Sequence, residues 1–488
     1  MKNELCEGGG QIVDQLTCWT LIYLFLPNAI FLSGWIQPVI GWPILLLLSW
    51  VLWTLCSKNS RPSLNLFTTQ TGLVLAVAIA WSCFGGAGHL VHAKPDWIIR
   101  GPVLRDMAVA TWPISYGVDE GYPVILRCPL GYFLPSALLS KWLGIQSLDW
   151  LALLWTIIGV ALFLLLLPLS KTSLYRFLAA VLVVIFFSGM DGLFFLMEGM
   201  VFSPNYHLEW WSWPYHYASN TTHLLWAPNH VLPAWLGGAL FMRHWRNPDF
   251  VVLLPFLLSL LSLWSPFAPL GLFPFAVLSV VHHHKTHGVW IPWKVVDLLG
   301  PILLVLIVGA YFLIDAGGIP TVPKVDSSED APTLMYRFLL FILLEFLILA
   351  VVVWPVCQSA PLLLATIFLI LIPLGNFGPG NDWVSRTSII PLFVLCWSIL
   401  EIIRTRSYSE HPWRFSLIGL ILFVGALTPI NEFYGAIVQP AWPFDTEKGL
   451  VQVLRERSSP FPKHYVAHLK GTWPEKILEP VDPVKNTP

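Results

Sequence analysis

Charge is scarce in this sequence: 11% of its residues are Asp, Glu, Lys or Arg, where a soluble domain carries about 25%. Too little polar surface is available to wrap a water-soluble globule. Net charge is −1, so no basic field exists to recruit nucleic acid. Cysteine is sparse and unpatterned. Cys6, Cys18, Cys56, Cys83, Cys128, Cys357 and Cys396 form no CxxC or Cys/His spacing, and they read as small apolar side chains. HExxH is absent as well, so no motif demands a metal or other cofactor, although a divalent ion stays an open alternative. A basic leader is also missing: residues 1–16 hold Glu4, Glu7 and Asp14 against Lys2. The first apolar run is therefore expected to stay as an anchor. Neither heptads, low-complexity tracts nor internal repeats are found.

What is present is apolar sequence, 56% of the 488 residues, in uninterrupted runs long enough to cross a ~30 Å hydrocarbon layer as helices. Continuous rather than alternating runs favour helices over a barrel. The expected fold is all-α and polytopic, with about thirteen spans and a range of eleven to fourteen. They fall near 12–33, 36–56, 71–92, 149–168, 174–196, 223–242, 250–265, 268–283, 291–314, 333–354, 361–376, 387–403 and 414–434. Segment 129–144 is too short to cross and reads as a re-entrant or interfacial helix.

Basic links test that choice. Lys58 and Arg61, Lys171 and Arg176, Arg243 and Arg246, Lys285, and Arg404 and Arg406 each follow or join spans. All fall on one face only if 129–144 does not cross, and the positive-inside rule makes that face cytoplasmic. The reading is a transmembrane unit over 1–435 with the amino terminus inside. External loops cover 93–128, 197–222, 315–332 and 377–386, and an external tail covers 436–488.

The polar chemistry concentrates in three of these loops. The first holds Asp96, Arg100, Arg105, Asp106, Asp119, Glu120 and Arg127, with Pro102 suited to start a short interfacial helix through about 110. A carboxylate against apolar walls can accept a proton, and arginines can clamp a phosphate bidentately. The second places His207, Glu209 and His216 among Trp210, Trp211, Trp213, Tyr215 and Tyr217. This suits a platform for a sugar ring; an aromatic belt at the headgroups explains the tryptophans equally well. The fourth brings Asn381, Asp382 and Arg386 between two spans, eased by Gly378 and Gly380. The 315–332 loop reads as a flexible acidic turn. The tail reads as a site cap or a solvated peptide.

The stretches DWIIRGPVLRD, WPISY, HLEWWSWPYHYASNTTHLLW and NDWVSR resemble those of the GT-C superfamily of membrane glycosyltransferases, in a bacterial branch. Many helices, an acidic first external loop with an interfacial helix and an external site carry the likeness over most of the chain. Asp119-Glu120 lies later than that superfamily's first-loop acidic pair, and Asp96 and Asp106 are isolated. The resemblance implies an inverting transfer of sugar from a polyprenyl-phosphate-linked donor to a glycan or lipid-linked acceptor, outside a bacterial inner membrane. It implies Asp96 or Asp106 as general base and Arg100, Arg105 and Arg386 at the donor phosphate. His207, Glu209, Trp210, His216, Asn381 and Asp382 would contact sugar or acceptor. The rivals are a flippase or transporter of a lipid-linked saccharide, a polysaccharide polymerase or ligase, and a non-catalytic scaffold.

Overall fold

The computed structural model describes residues 14–57, 68–170, 173–197, 199, 203–204, 206–319, 331–378, 380–457 and 464–481. Lys58, Arg61, Lys171, Glu198, Lys463 and most of 315–332 lie outside them, as does the amino-terminal segment with Lys2, Glu4, Cys6 and Glu7.

The described chain is mostly helical. Among the described residues, eight helices are long and apolar enough to cross a membrane: Gln15–Gly34, Pro38–Ser57, Ile145–Leu166, Phe267–His287, Val295–Leu313, Pro332–Val353, Asp382–Thr405 and Pro412–Val438. Leu174–Phe186 and Asp191–Met197, bent by 66° against each other, make a ninth if they form one span. Their apolar side chains face outward as well as inward. On Pro38–Ser57, Val39, Leu46 and Trp53 are 76%, 64% and 65% exposed, which only a hydrocarbon solvent makes cheap. The molecule is a multi-pass helical membrane protein.

Eight or nine is fewer than thirteen, and helix length is the reason. All thirteen expected segments contain helix. Thr69–Cys83, Pro248–Ser262 and Ala360–Leu374 are apolar but short. Pro228–His244 has 17 residues, about 25 Å at 1.5 Å per residue. Segment 129–144 yields the 10-residue helix Leu134–Leu143, about 15 Å long, too short to cross.

Two expectations need correction. Pro102 does not start the first-loop helix, which runs Trp97–Val109 with Pro102 inside it. Three tight bonds wind the chain in earlier, from Trp97, Ile98 and Ile99 N–H to the carbonyls of Lys94, Pro95 and Asp96. The buried Trp97 anchors that start through an indole N–H bond to Leu225 O at 3.0 Å.

The chain is also not purely helical. Strands β1 (Ser115–Asp119) and β2 (Tyr122–Leu126) form a hairpin, and β3 (Val466–His468) adds antiparallel to β2. Glu120 and Gly121 make the two-residue turn with φ of 50° and 82°, the doubly left-handed geometry that matches strand twist. The tail is thus folded onto the first loop. Leu450–Glu456 packs on Trp97–Val109, and Glu479 N–H reaches Trp35 O at 3.0 Å.

Candidate functional site

Side chains from the first, second and fourth loops, the tail and four helix ends line one cavity of about 970 Å³, near the upper end of ordinary ligand-site volumes. Two helices that carry cavity residues at their starts carry arginines at their far ends. Asn229 and His230 precede Arg243, and Arg386 precedes Arg404. A helix length, about 20 Å or more, therefore separates the cavity from these basic ends.

One wall is a first-loop clamp. Asp96 sits at the start of Trp97–Val109 and Arg100 one turn later, bonded Nη2 to Oδ2 at 2.8 Å. Arg100 Nη1 donates to Asn229 Oδ1 across to the next element, and the guanidinium is buried. The Asp96 side chain keeps 33% of its surface open. Arg127, His464 and Tyr465 complete this side. The tail reaches it because Arg127 N–H bonds to Tyr465 O at 2.7 Å, continuing the β2–β3 pairing.

Behind a second wall runs a row of alternating charge, of which His207 and Glu209 line the cavity. Lys94 Nζ meets Glu432 Oε2 at 2.7 Å, Glu432 Oε1 meets His207 Nδ1 at 2.9 Å, and His207 Nε2 faces Glu209 Oε2 at 3.3 Å. Glu209 Oε1 also accepts from Ser219 N–H at 2.8 Å and the Thr222 hydroxyl at 2.7 Å, and Trp226 Nε1 donates to Glu432. All four charged groups are buried or nearly so. Burial alone would lower His207, but hydrogen bonds to Glu209 and Glu432 raise it to about 10. The imidazole is a cation held between two carboxylates. Burial works in the other direction on Glu209, whose pKa is raised although His207 opposes it. Trp210 stands edge-on to His207 with ring centres 5.0 Å apart and is 53% exposed.

The third wall is short of partners. Arg386 meets Asp382 only at 3.7 Å, one turn apart, and its buried Nε has no hydrogen bond. His216 is buried with Nδ1 unpartnered. Burial, aided by His207 and Arg386, lowers its pKa to about 3, so it is a neutral ring. Gly378, with φ of 87°, leaves room for Asp382: an added Cβ would stand 2.4 Å from its Oδ2. Unpaired buried donors of this kind suit an anionic ligand.

Eight of the eleven predicted site residues therefore line one cavity: Asp96, Arg100, Arg386, His207, Glu209, Trp210, His216 and Asp382. Asn381 does not line it. With φ of 49° it begins helix Asp382–Thr387, and its amide donates to Pro214 O at 2.9 Å, tying the fourth loop to the second.

Arg105 and Asp106 lie outside this lining. Asp106 is fully buried, paired with Arg105 at 3.1 Å and accepting Leu450 N–H at 2.9 Å. Arg105 Nε donates to Thr446 O at 3.2 Å. Together they hold the tail on the loop. Burial raises the Asp106 pKa, and Asp106 is not among the residues that line the cavity.

Lys94, Glu432, His464 and Tyr465 were missed. Glu432 carried a usable signal, since it stands alone in the apolar run TPINEFYGAIV and an ionisable residue in a span is a functional candidate. No local signal marks Tyr465. Among the described residues, no three His, Cys, Asp or Glu side chains converge as a metal site. No protein-family model matches this chain, and neither a curated protein nor a solved structure does.

Proposed function

We propose that this protein is a membrane glycosyltransferase of the GT-C kind, moving a sugar from a polyprenyl-phosphate carrier to an acceptor hydroxyl on a glycan or lipid. One observation carries the reading. Asp96, Arg100 and the under-partnered Arg386 share a cavity that also carries broad aromatic and apolar surface. Trp210, Trp213 and Trp226 offer flat faces for a sugar ring. Phe267, Leu270, Phe312, Leu313 and Phe377 extend the lining, and Leu270 and Leu313 are 48% and 66% exposed. That exposed apolar flank suits the carrier's hydrocarbon tail.

The proposed step follows from these placements. The acceptor oxygen attacks the anomeric carbon as the bond from that carbon to the carrier phosphate breaks, inverting the centre. Asp96 takes the hydroxyl proton. One carboxylate oxygen is engaged by Arg100, which orients the group and leaves the other for the proton. Arg386 holds the departing phosphate, as its unbonded Nε–H allows.

The same reading includes thirteen crossings, the amino terminus in the cytoplasm, and the cavity and tail outside a bacterial inner membrane. The basic helix ends opposite the cavity support that orientation. Transport of the same lipid-linked saccharide is the second reading, favoured by two carboxylates buried among the helices, Asp191 and Glu345.

The test uses protein in nanodiscs with a labelled polyprenyl-phosphate sugar and an acceptor lipid. Asp96→Asn should lower transfer by about 10²–10⁴-fold while carrier binding, read by native mass spectrometry, persists. Unchanged transfer in Asp96→Asn removes Asp96 as base. Movement of labelled saccharide across proteoliposomes without a new glycosidic bond replaces the reading with transport.

A further inference from the structure

Away from the cavity, a pair of acids is buried where the bent span meets its neighbours. Asp191 begins helix Asp191–Met197, just after the 66° bend. Glu345 lies near the middle of the apolar helix Pro332–Val353, in the wide turn Leu343–Leu347. Such π-type widenings recur at functional sites. The two side chains are 0% and 4% exposed. Both accept from the same donor, Trp211 Nε1, at 3.0 Å and 3.3 Å. Asp191 Oδ2 accepts further from the hydroxyls of Ser188 at 3.2 Å and Thr428 at 3.0 Å.

Glu345 Oε2 has no hydrogen-bond partner although it is buried, and it is aimed at the turn before Asp191. A Cβ on Gly189 would stand 2.0 Å from it. Glycine is what lets the carboxyl approach. The donors to this pair are neutral, and among the described residues the charged groups nearby offer no compensation. Glu209, on the same short turn as Trp211, adds a third negative charge. Glu432 is taken by Lys94 and His207. Arg337 donates to Trp213 O. Arg414 starts a helix whose other end, at Gly425, is the part that meets Ser188. Tyr217 donates its hydroxyl to Leu369 O at 2.6 Å.

Two buried carboxylates that share one neutral donor are an arrangement in which a proton can be held in common. We propose that Asp191 and Glu345 together bind one proton among the membrane helices, and that Trp211 couples this site to the cavity wall. The shared indole N–H joins both acids to the turn Leu208–Ser212, which carries Glu209 and Trp210 into the cavity. Whichever ligand the cavity takes, this proton site stands on its own.

Infrared spectroscopy of the protein in nanodiscs tests it, because a protonated carboxyl has a C=O stretch resolved from carboxylate bands and shifted in D2O. The double variant D191N/E345Q should lose that band, and E209Q should keep it. W211F retains both acids but removes their common donor, so it should move the band. A band retained in the double variant, lost in E209Q, or unmoved in W211F overturns the proposal. Replacing potassium by sodium at fixed pH should leave the band in place; its loss would mean that the acids bind sodium instead.

Discussion

The cavity's second and third walls are built on opposite terms. Along the Lys94–Glu432–His207–Glu209 row, each charge meets an opposite one and Ser219, Thr222 and Trp226 donate to the carboxylates, which leaves Glu209 Oε2 with its ion pair to His207 alone. Around Arg386 and His216, buried nitrogens are left without hydrogen bonds. A satisfied buried network rigidifies its surroundings, whereas orphaned donors cost free energy unless something binds them. The second wall is shaped for holding the loops together, and the third for receiving a ligand. Position on a cavity surface alone does not separate these roles; partner inventory does.

The strongest test of that contrast is Glu432→Ala. It strands Lys94 as a buried cation and leaves His207 with Glu209 alone, and should cost about 3–5 kcal/mol of stability, read as a large drop in thermal unfolding temperature in detergent. Arg386→Ala should do the reverse. Its unfolding temperature should stay near wild type, while binding of polyprenyl phosphate weakens about 10- to 150-fold, the worth of a charged hydrogen bond of about 1.5–3 kcal/mol. If the two variants behave alike, the distinction between the walls is wrong.

Smaller effects sharpen the picture. Gly449→Ala would set a Cβ 2.5 Å from Asp106 Oδ1 and should cost about 1–3 kcal/mol by overpacking, with proteolysis of the tail as the readout. The row itself carries a pH signature. His207 is raised from 6.5 to about 10, so its stabilisation is complete below pH 6.5 and is lost as pH climbs through 10. Thermal stability should decline over that interval, and less so in His207→Gln.

The smallest expected change lies in the clasp where His468 bonds Asp119 and Asp315, each at 3.0 Å, and Lys470 reaches Asp315 at 2.8 Å. Burial works upward on Asp315, yet Lys470 and His468 hold it at about 2. Its contribution is present above its ordinary 3.8 and fades as pH falls toward 2. His468, which burial would lower, is raised by Asp119 and Asp315. Its contribution is complete below 6.5 and fades as pH rises through the raised value. Protection of the Ala467 and Leu469 amides, relative to their intrinsic exchange rates at each pH, should therefore be greatest between about pH 4 and 6.5, by a margin worth under about 1 kcal/mol given the exposure of Asp119.

Much of the helical frame was legible because an apolar run long enough to cross hydrocarbon has few other fates. The cavity was half legible. Arg386 and His216 stood out as polar residues in a chain with few, and they do meet. Asp106 looked as good a base as Asp96, because nothing local reveals that Leu450 N–H will cover it. The hairpin turn was read as an acidic pair, since Glu120 masks the Gly121 turn signal. Tyr465 and Glu432 depend on contacts between distant parts of the chain, which periodicity does not encode.

The strand pairing of Tyr122–Leu126 with Val466–His468 has a consequence for how the protein is made. At roughly 5–20 residues per second of synthesis, the second partner follows the first by roughly 20–70 s. Throughout that interval the β2 edge, YPVIL, has the hairpin on one side and open backbone groups on the other. An apolar edge left unpaired so long invites pairing with a neighbouring chain. Crowded production of this protein should therefore yield intermolecular β-contacts at this strand, and slowing initiation rather than elongation should relieve them.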